Sequence, residues 1–229
     1  MEDKMDKSLL FLGFLWIVYL GLIPLYIKKQ KELGSVQAVS YKLTLSGIFC
    51  AIGLLGVIRQ GGNIFCILIF TGLIFSLIGD YFLVFIKADE KKFISGIFFF
   101  GMTQICYISA MIYLSSISYL EIIIAGILAI GVILVKFIKK TNMGKTLIPL
   151  IIYISLVAFM AVKATSLLFS VNPPVNKQWL LTGGALLFLV SDMMLGTWRF
   201  LNQKKVLYNM VSICYFLGQL MIATVLYFQ

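Results

Sequence analysis

Eight apolar stretches, each close to twenty residues long, account for most of this chain of 229 residues. A bilayer core about 30 Å thick needs about 20 apolar residues per spanning helix. Breaking the sequence at clusters of charged and turn-forming residues places the stretches at 8–27, 40–58, 64–86, 93–114, 119–138, 146–169, 179–200 and 206–228. Only Ser115-Ser116-Ile117-Ser118 parts the fourth from the fifth. The first is too long for the apolar core of a signal peptide and runs into Lys28-Lys29 with no small-residue cleavage site, so it reads as an anchor that stays. The expected fold is therefore all-α: a polytopic membrane protein of eight transmembrane helices in one integral membrane domain, 1–229. A soluble domain is excluded, because a chain that is 61% hydrophobic and 12% charged cannot cover itself with polar surface.

Charge supplies the orientation. A net charge of +10 in a soluble protein would suggest nucleic acid, but here the basic residues sit in short clusters between apolar runs. That placement is the signature of membrane topology, so no nucleic-acid partner is expected. Thirteen basic residues fall in alternate loops: Lys28, Lys29 and Lys31; Lys87, Lys91 and Lys92; Lys136, Lys139, Lys140 and Lys145; Arg199, Lys204 and Lys205. Four fall on the other side: Lys4, Lys7, Arg59 and Lys177. The bias puts the odd-numbered loops in the cytoplasm and both termini outside. The Lys- and Ile-rich usage points to a bacterial plasma membrane. Cys50, Cys66, Cys106 and Cys214 all lie in apolar runs without C-x-x-C spacing, and read as small buried hydrophobes.

The third and seventh segments echo each other. Gly72-Leu-Ile-Phe-Ser-Leu-Ile-Gly-Asp80 lies over Gly184-Ala-Leu-Leu-Phe-Leu-Val-Ser-Asp192, Leu83 over Leu195, and Lys87 over Arg199. Both following segments carry Ile-Cys-Tyr, at 105–107 and 213–215. An offset of four helices is the pattern of a parallel 4+4 repeat. Chance likeness between apolar strings competes with it.

An ionisable side chain at bilayer depth costs about 3 kcal/mol on insertion scales and needs a reason to be there. Asp80, Asp192 and Lys42 all fall in the cytoplasmic half of their segments, at similar depth. An ion pair with Lys42 explains one aspartate and leaves the second without a cation. Two acids at matched depth on different helices therefore point to a functional cavity. Gln104, Tyr107, Tyr153, Tyr215 and Gln219 are further polar groups between the inner third and the midplane, whereas Lys163 and Glu121 look like snorkelling or interfacial residues. Lys87 and Arg199 each stand seven residues beyond an aspartate, which places them on the acid's helix face about 10 Å nearer the cytoplasm. Ordinary positive-inside placement explains them; so does a grip on a lipid phosphate.

The chain contains no histidine, which removes the commonest general base, the commonest zinc ligand and every Ser-His-Asp system. Leu77-Ile-Gly-Asp-Tyr-Phe-Leu83, Phe93-x-x-Gly96 and Gly184-Ala-Leu-Leu-Phe-x-x-Ser-Asp192-x-x-Leu195 resemble the YhhN family, which includes mammalian lysoplasmalogenases. Lys42, Tyr153, Met160, Tyr215 and Gln219 also fall where that pattern expects them, and the likeness covers about residues 40–228. The family commonly carries His-x-x-Tyr in the fourth segment; here Gln104 precedes Tyr107, which favours positioning over proton transfer at that place.

The resemblance implies hydrolysis of the vinyl-ether bond of a lysoplasmalogen, a lysophospholipid of the membrane, to a fatty aldehyde and a glycerophospho-alcohol. That reaction needs a proton delivered to carbon and water added to an oxocarbenium ion. Two carboxyls in a dry cleft, sharing one proton, suit it, by the logic of glycoside hydrolysis. Asp80 and Asp192 are the expected catalytic pair, in either order of roles. Lys42, Gln104, Tyr107, Tyr153, Tyr215, Gln219, Lys87 and Arg199 are the expected substrate-binding set. No metal or other cofactor is expected. The alternatives are a proton-coupled small-molecule transporter or a non-catalytic member of the same family.

Overall fold

The computed structural model describes residues 2–86, 89–138, 144–201 and 203–228. Among these residues there are eight α-helices and no strand: α1 Glu2–Leu33, α2 Val39–Arg59, α3 Ile64–Leu83, α4 Glu90–Leu114, α5 Tyr119–Ile138, α6 Leu147–Ser166, α7 Val175–Phe200 and α8 Lys205–Thr224. Single 3-10 turns extend α6 over Leu167–Phe169 and α8 over Val225–Tyr227. Seven of the helices are long and apolar enough to cross a membrane, while α5 contributes a shorter apolar run, Tyr119–Leu134. The chain is a multi-pass helical membrane protein.

Local chemistry sets the helix ends. The first apolar run was expected to stop near residue 27, but Lys28, Lys29 and Lys31 continue α1, because lysine is a good helix former and a cation is favoured at a helix C-terminus. The helix stops at Gly34, whose φ of +88° suits the glycine that closes a helix. Asn63 accepts from Cys66 N at 2.9 Å to open α3, and Asp89 accepts from Lys91 N and Lys92 N at 2.8 and 3.2 Å. The latter cap starts α4 three residues before the first apolar residue of its segment. At α5, Ser118 and Glu121 exchange backbone and side-chain bonds in a capping box, 3.1 and 3.2 Å.

The helices pair mainly α3 with α4 and α7 with α8; α2 lies beside α3 and α8, and α6 joins α4, α5 and α7. Glycines make the tightest crossings. A Cβ on Gly184 or Gly218 would sit 2.9 Å from the other's carbonyl oxygen, and one on Gly79 would stand 2.8 Å from the Phe100 ring. The outward faces are apolar: Ile58, Phe98, Ile122, Ile152 and Trp179 are each more than half exposed, as lipid-facing side chains are. α1 is tied to α8 by Trp16 Nε1 donating to Thr224 Oγ1 at 2.9 Å and by Tyr19 OH donating to Phe216 O at 3.3 Å.

One expectation is overturned. Lys163 does not snorkel. It is wholly buried, 3.2 Å from Glu121 Oε1, and donates to Ser116 O at 2.7 Å. The capping box fixes Glu121, so a buried acid stands ready to neutralise the lysine, and the pair pins α5 to α6. Cys50, Cys66 and Cys106 are buried and Cys214 half-buried, all as free thiols.

Candidate functional site

Asp80 ends a row of polar side chains that four helices, α2, α3, α4 and α8, bring together. On α2, Lys42 and Ser46 are four residues apart and so share a face. Lys42 Nζ lies 2.8 Å from Asp80 Oδ1, and Ser46 Oγ donates to Asp80 Oδ2 at 2.6 Å. On α8, Tyr215 OH donates to the same Oδ2 at 2.5 Å. The ammonium approaches Oδ1 off the hydrogen-bond direction, leaving that oxygen an open acceptor position. Asp80 is only 1% exposed. Each of these partners is a donor or a cation, the set that suits a carboxylate anion.

The row continues inward with one polarity. Tyr107 OH donates to Gln219 Oε1 at 2.7 Å, Gln219 Nε2 donates to Ser76 Oγ at 2.8 Å, and Ser76 Oγ lies 2.8 Å from Tyr215 OH. Because Tyr215 gives its proton to Asp80 and Ser76 receives one from Gln219, Ser76 is the donor to Tyr215. The donors thus run from Tyr107 through Gln219, Ser76 and Tyr215 to Asp80. Tyr107 fits at the far end because Gly72 has no Cβ to meet its ring.

Asp192, on α7, is held differently. Its Oδ2 accepts from Tyr153 OH of α6 at 2.6 Å, and no ion pair reaches it among the described residues. Both aspartates line one small cavity of about 40 Å³, together with Lys42, Tyr26 and Tyr215, with space for about three waters. Asp192 also lines a second cavity of about 500 Å³ between α4, α5, α6 and α7, a size ordinary for a small-molecule site. Its walls are Ile97, Phe100, Ile127, Leu150, Val157 and similar apolar side chains, and the polar groups on it are Asp192, Tyr153, Thr197 and Arg199. Leu83, Phe100 and Leu195 belong to both cavities, so a thin apolar partition flanks Asp192 where the two meet.

The predicted residues divide accordingly. Lys42, Asp80, Tyr215, Gln219 and Tyr107 form one connected network; Asp192, Tyr153 and Arg199 form the polar edge of the large cavity. Gln104 is wholly buried with its amide beside the Tyr153 hydroxyl, although neither Nε2 nor Oε1 reaches full hydrogen-bond geometry among the described residues. Lys87 lies outside the described residues. Ser46 was not singled out in the sequence and Ser76 entered only within the repeat around Asp80, without a polar role, although each stands four residues from a singled-out group, Ser46 after Lys42 and Ser76 before Asp80.

Fold and site together define a class: a multi-pass helical membrane protein with two carboxyls on its membrane-span helices, one beside an apolar cavity of about 500 Å³. The chain belongs to the YhhN family, whose sequence profile matches residues 37–226. It is 29% identical over 160 residues to Lysoplasmalogenase TMEM86A of Bos taurus, a match covering 68% of this chain and 63% of that protein. The chain therefore spans a little under two thirds of the length of this curated relative. No solved structure matches.

Proposed function

We propose that the protein is a membrane-embedded hydrolase that cleaves the vinyl-ether bond of a lysophospholipid, as the name of its bovine relative suggests. The observation that carries this reading is the unequal environment of the two acids around one small polar cavity, with an apolar cavity beside only one of them. The alkenyl chain lies in the large cavity, which brings the double bond to Asp192. Asp192, with a tyrosine and no cation beside it, is the general acid: it delivers a proton to the β-carbon of the vinyl ether, and the adjacent carbon becomes an oxocarbenium ion. Asp80, held as an anion by Lys42, Ser46 and Tyr215, takes a proton from a water in the small cavity as that water adds. The hemiacetal then collapses to a fatty aldehyde and the glycerophospho-alcohol, consuming one water in all. A proton passed from Asp80 back to Asp192 through the shared cavity resets the pair.

We place this site in a bundle of eight spans, with α1–α4 and α5–α8 as parallel repeats in one integral domain. The two most intimate pairs, α3–α4 and α7–α8, and the matched positions of Asp80 and Asp192 support that arrangement. By the distribution of basic residues, the site faces the cytoplasmic leaflet of a bacterial plasma membrane and both termini are outside. Purified protein given a 1-alkenyl lysophospholipid should release aldehyde, and Asp80→Asn and Asp192→Asn should each slow the release by about a hundredfold or more while remaining folded. No aldehyde from folded wild type would reject the hydrolase and favour a non-catalytic member, in which Gln104 stands where the family commonly has histidine.

A further inference from the structure

Arg199 is a cation without an anion. It occupies the last turn of α7 and forms no ion pair among the described residues. Its Nε is buried without a partner, and its guanidinium stands over the Phe93 and Phe200 rings at 5.5 and 5.8 Å. It lines the same 500 Å³ cavity as Asp192. A guanidinium whose neighbours are mostly apolar gains most from a bidentate oxyanion, the geometry of a phosphate.

Spacing says which phosphate. Seven residues separate Asp192 from Arg199, a rotation of about 700° and a rise of about 10 Å, so both project from one face of α7. In a 1-alkenyl glycerophospholipid seven bonds join the phosphorus to the carbon that takes the proton. At the advance of about 1.2 Å per bond of an extended chain, that is about 8 Å. The two lengths agree within the reach of the side chains.

We propose that Arg199 binds the phosphate of a single-chain glycerophospholipid and, with Asp192, forms a ruler that places the first carbons of the chain at the carboxyl. The ruler rests on the hydrolase reading for its purpose, but phosphate recognition itself can be measured without turnover. The Phe93 and Phe200 rings flank the guanidinium on the cavity's edge. The apolar wall from Ile127, Leu128, Gly131 and Val132 of α5 takes the rest of the chain. α5 packs chiefly on α6, so the cavity's outer wall is a helix tied mainly to one neighbour. The chemistry reads the phosphate and the three-carbon spacer, not the alcohol beyond the phosphate, so choline and ethanolamine forms should bind alike.

The test is binding of three probes to the full chain in detergent: a non-hydrolysable 1-alkyl lysophospholipid, the 1-alkylglycerol lacking phosphate, and inorganic phosphate. Wild type should prefer the lysophospholipid to the alkylglycerol by at least tenfold, in keeping with a charge-assisted bidentate contact. Arg199→Gln should reduce that preference to less than threefold, and Arg199→Lys should leave an intermediate value, because it keeps the charge and loses the fork. Equal binding of the two lipids by wild type would overturn the proposal without any variant. So would a preference that survives intact in folded Arg199→Gln, or displacement of the lipid by millimolar inorganic phosphate, which would mark a site for the free anion. Aldehyde release fails or succeeds separately. Preference without aldehyde rejects the hydrolase and supports the phosphate site; aldehyde without preference does the reverse.

Discussion

Lys42→Met removes the cation from Asp80 and leaves the carboxylate in a site only 1% exposed. Breaking a buried ion pair from one side costs about 3–5 kcal/mol. Two features put this case at the low end, about 3 kcal/mol. Ser46 and Tyr215 still donate to Oδ2 at 2.6 and 2.5 Å, and the Lys42 side chain is 12% exposed, so part of its own desolvation is never incurred. Asp80→Asn removes the charge and costs about 2 kcal/mol, because the amide still accepts from both hydroxyls. With neither charge present, the double variant should be no less stable than Lys42→Met alone, a coupling of about 2–3 kcal/mol. The assay is reversible unfolding in mixed micelles of mild and denaturing detergent, with the four proteins compared as a cycle. Additivity within about 0.5 kcal/mol would refute the claim that Lys42 exists to hold Asp80 as an anion.

The other consequences are more local. Tyr215→Phe removes the shortest donor to Asp80 together with the acceptor of Ser76, and should lower kcat for aldehyde release by about tenfold to a hundredfold with little change in KM. Gln104→Leu replaces a wholly buried amide that makes no well-formed hydrogen bond and has only the Tyr153 hydroxyl beside it, and should raise the unfolding free energy by about 1 kcal/mol in the same micelle titration. Gly218→Ala forces a methyl against the Gly184 carbonyl and should destabilise the α7–α8 pair by about 1–3 kcal/mol, read as a lower melting temperature. Glu121→Ala strands the wholly buried Lys163 and should cost about 3 kcal/mol of stability while leaving kcat within twofold, since the pair lies away from both cavities.

The helices were legible because a bilayer imposes one length and one hydrophobic threshold on every span. The ends were less so: Lys28, Lys29 and Lys91 read as loop residues but are helical, since charge breaks an apolar pattern without breaking a helix. The two aspartates stood out because a carboxyl is costly at that depth, and Lys42 could be matched to one of them by depth alone. Which aspartate it served could not be read, because that depends on α2 lying against α3 while Asp192 sits across the cavity. Ser46 and Ser76 carried no cost signal, as a hydroxyl in a membrane helix can bond its own preceding turn. Lys163 was misread for a related reason. Its neutraliser, Glu121, is 42 residues away, and position in a segment gives depth but not partner. The large cavity was beyond sequence, being a gap between helices.

The central claim is that Asp192 hands a proton to carbon. The direct measurement is hydrolysis of a 1-alkenyl lysophospholipid in heavy water by purified wild type and Asp192→Asn, with the released aldehyde analysed by mass spectrometry under conditions that prevent later exchange. Wild type should give aldehyde carrying one deuterium on the carbon next to the carbonyl, and folded Asp192→Asn should be slower by about 10²–10⁴-fold, the usual worth of a positioned general acid. Aldehyde production by Asp192→Asn within tenfold of wild type would contradict the account.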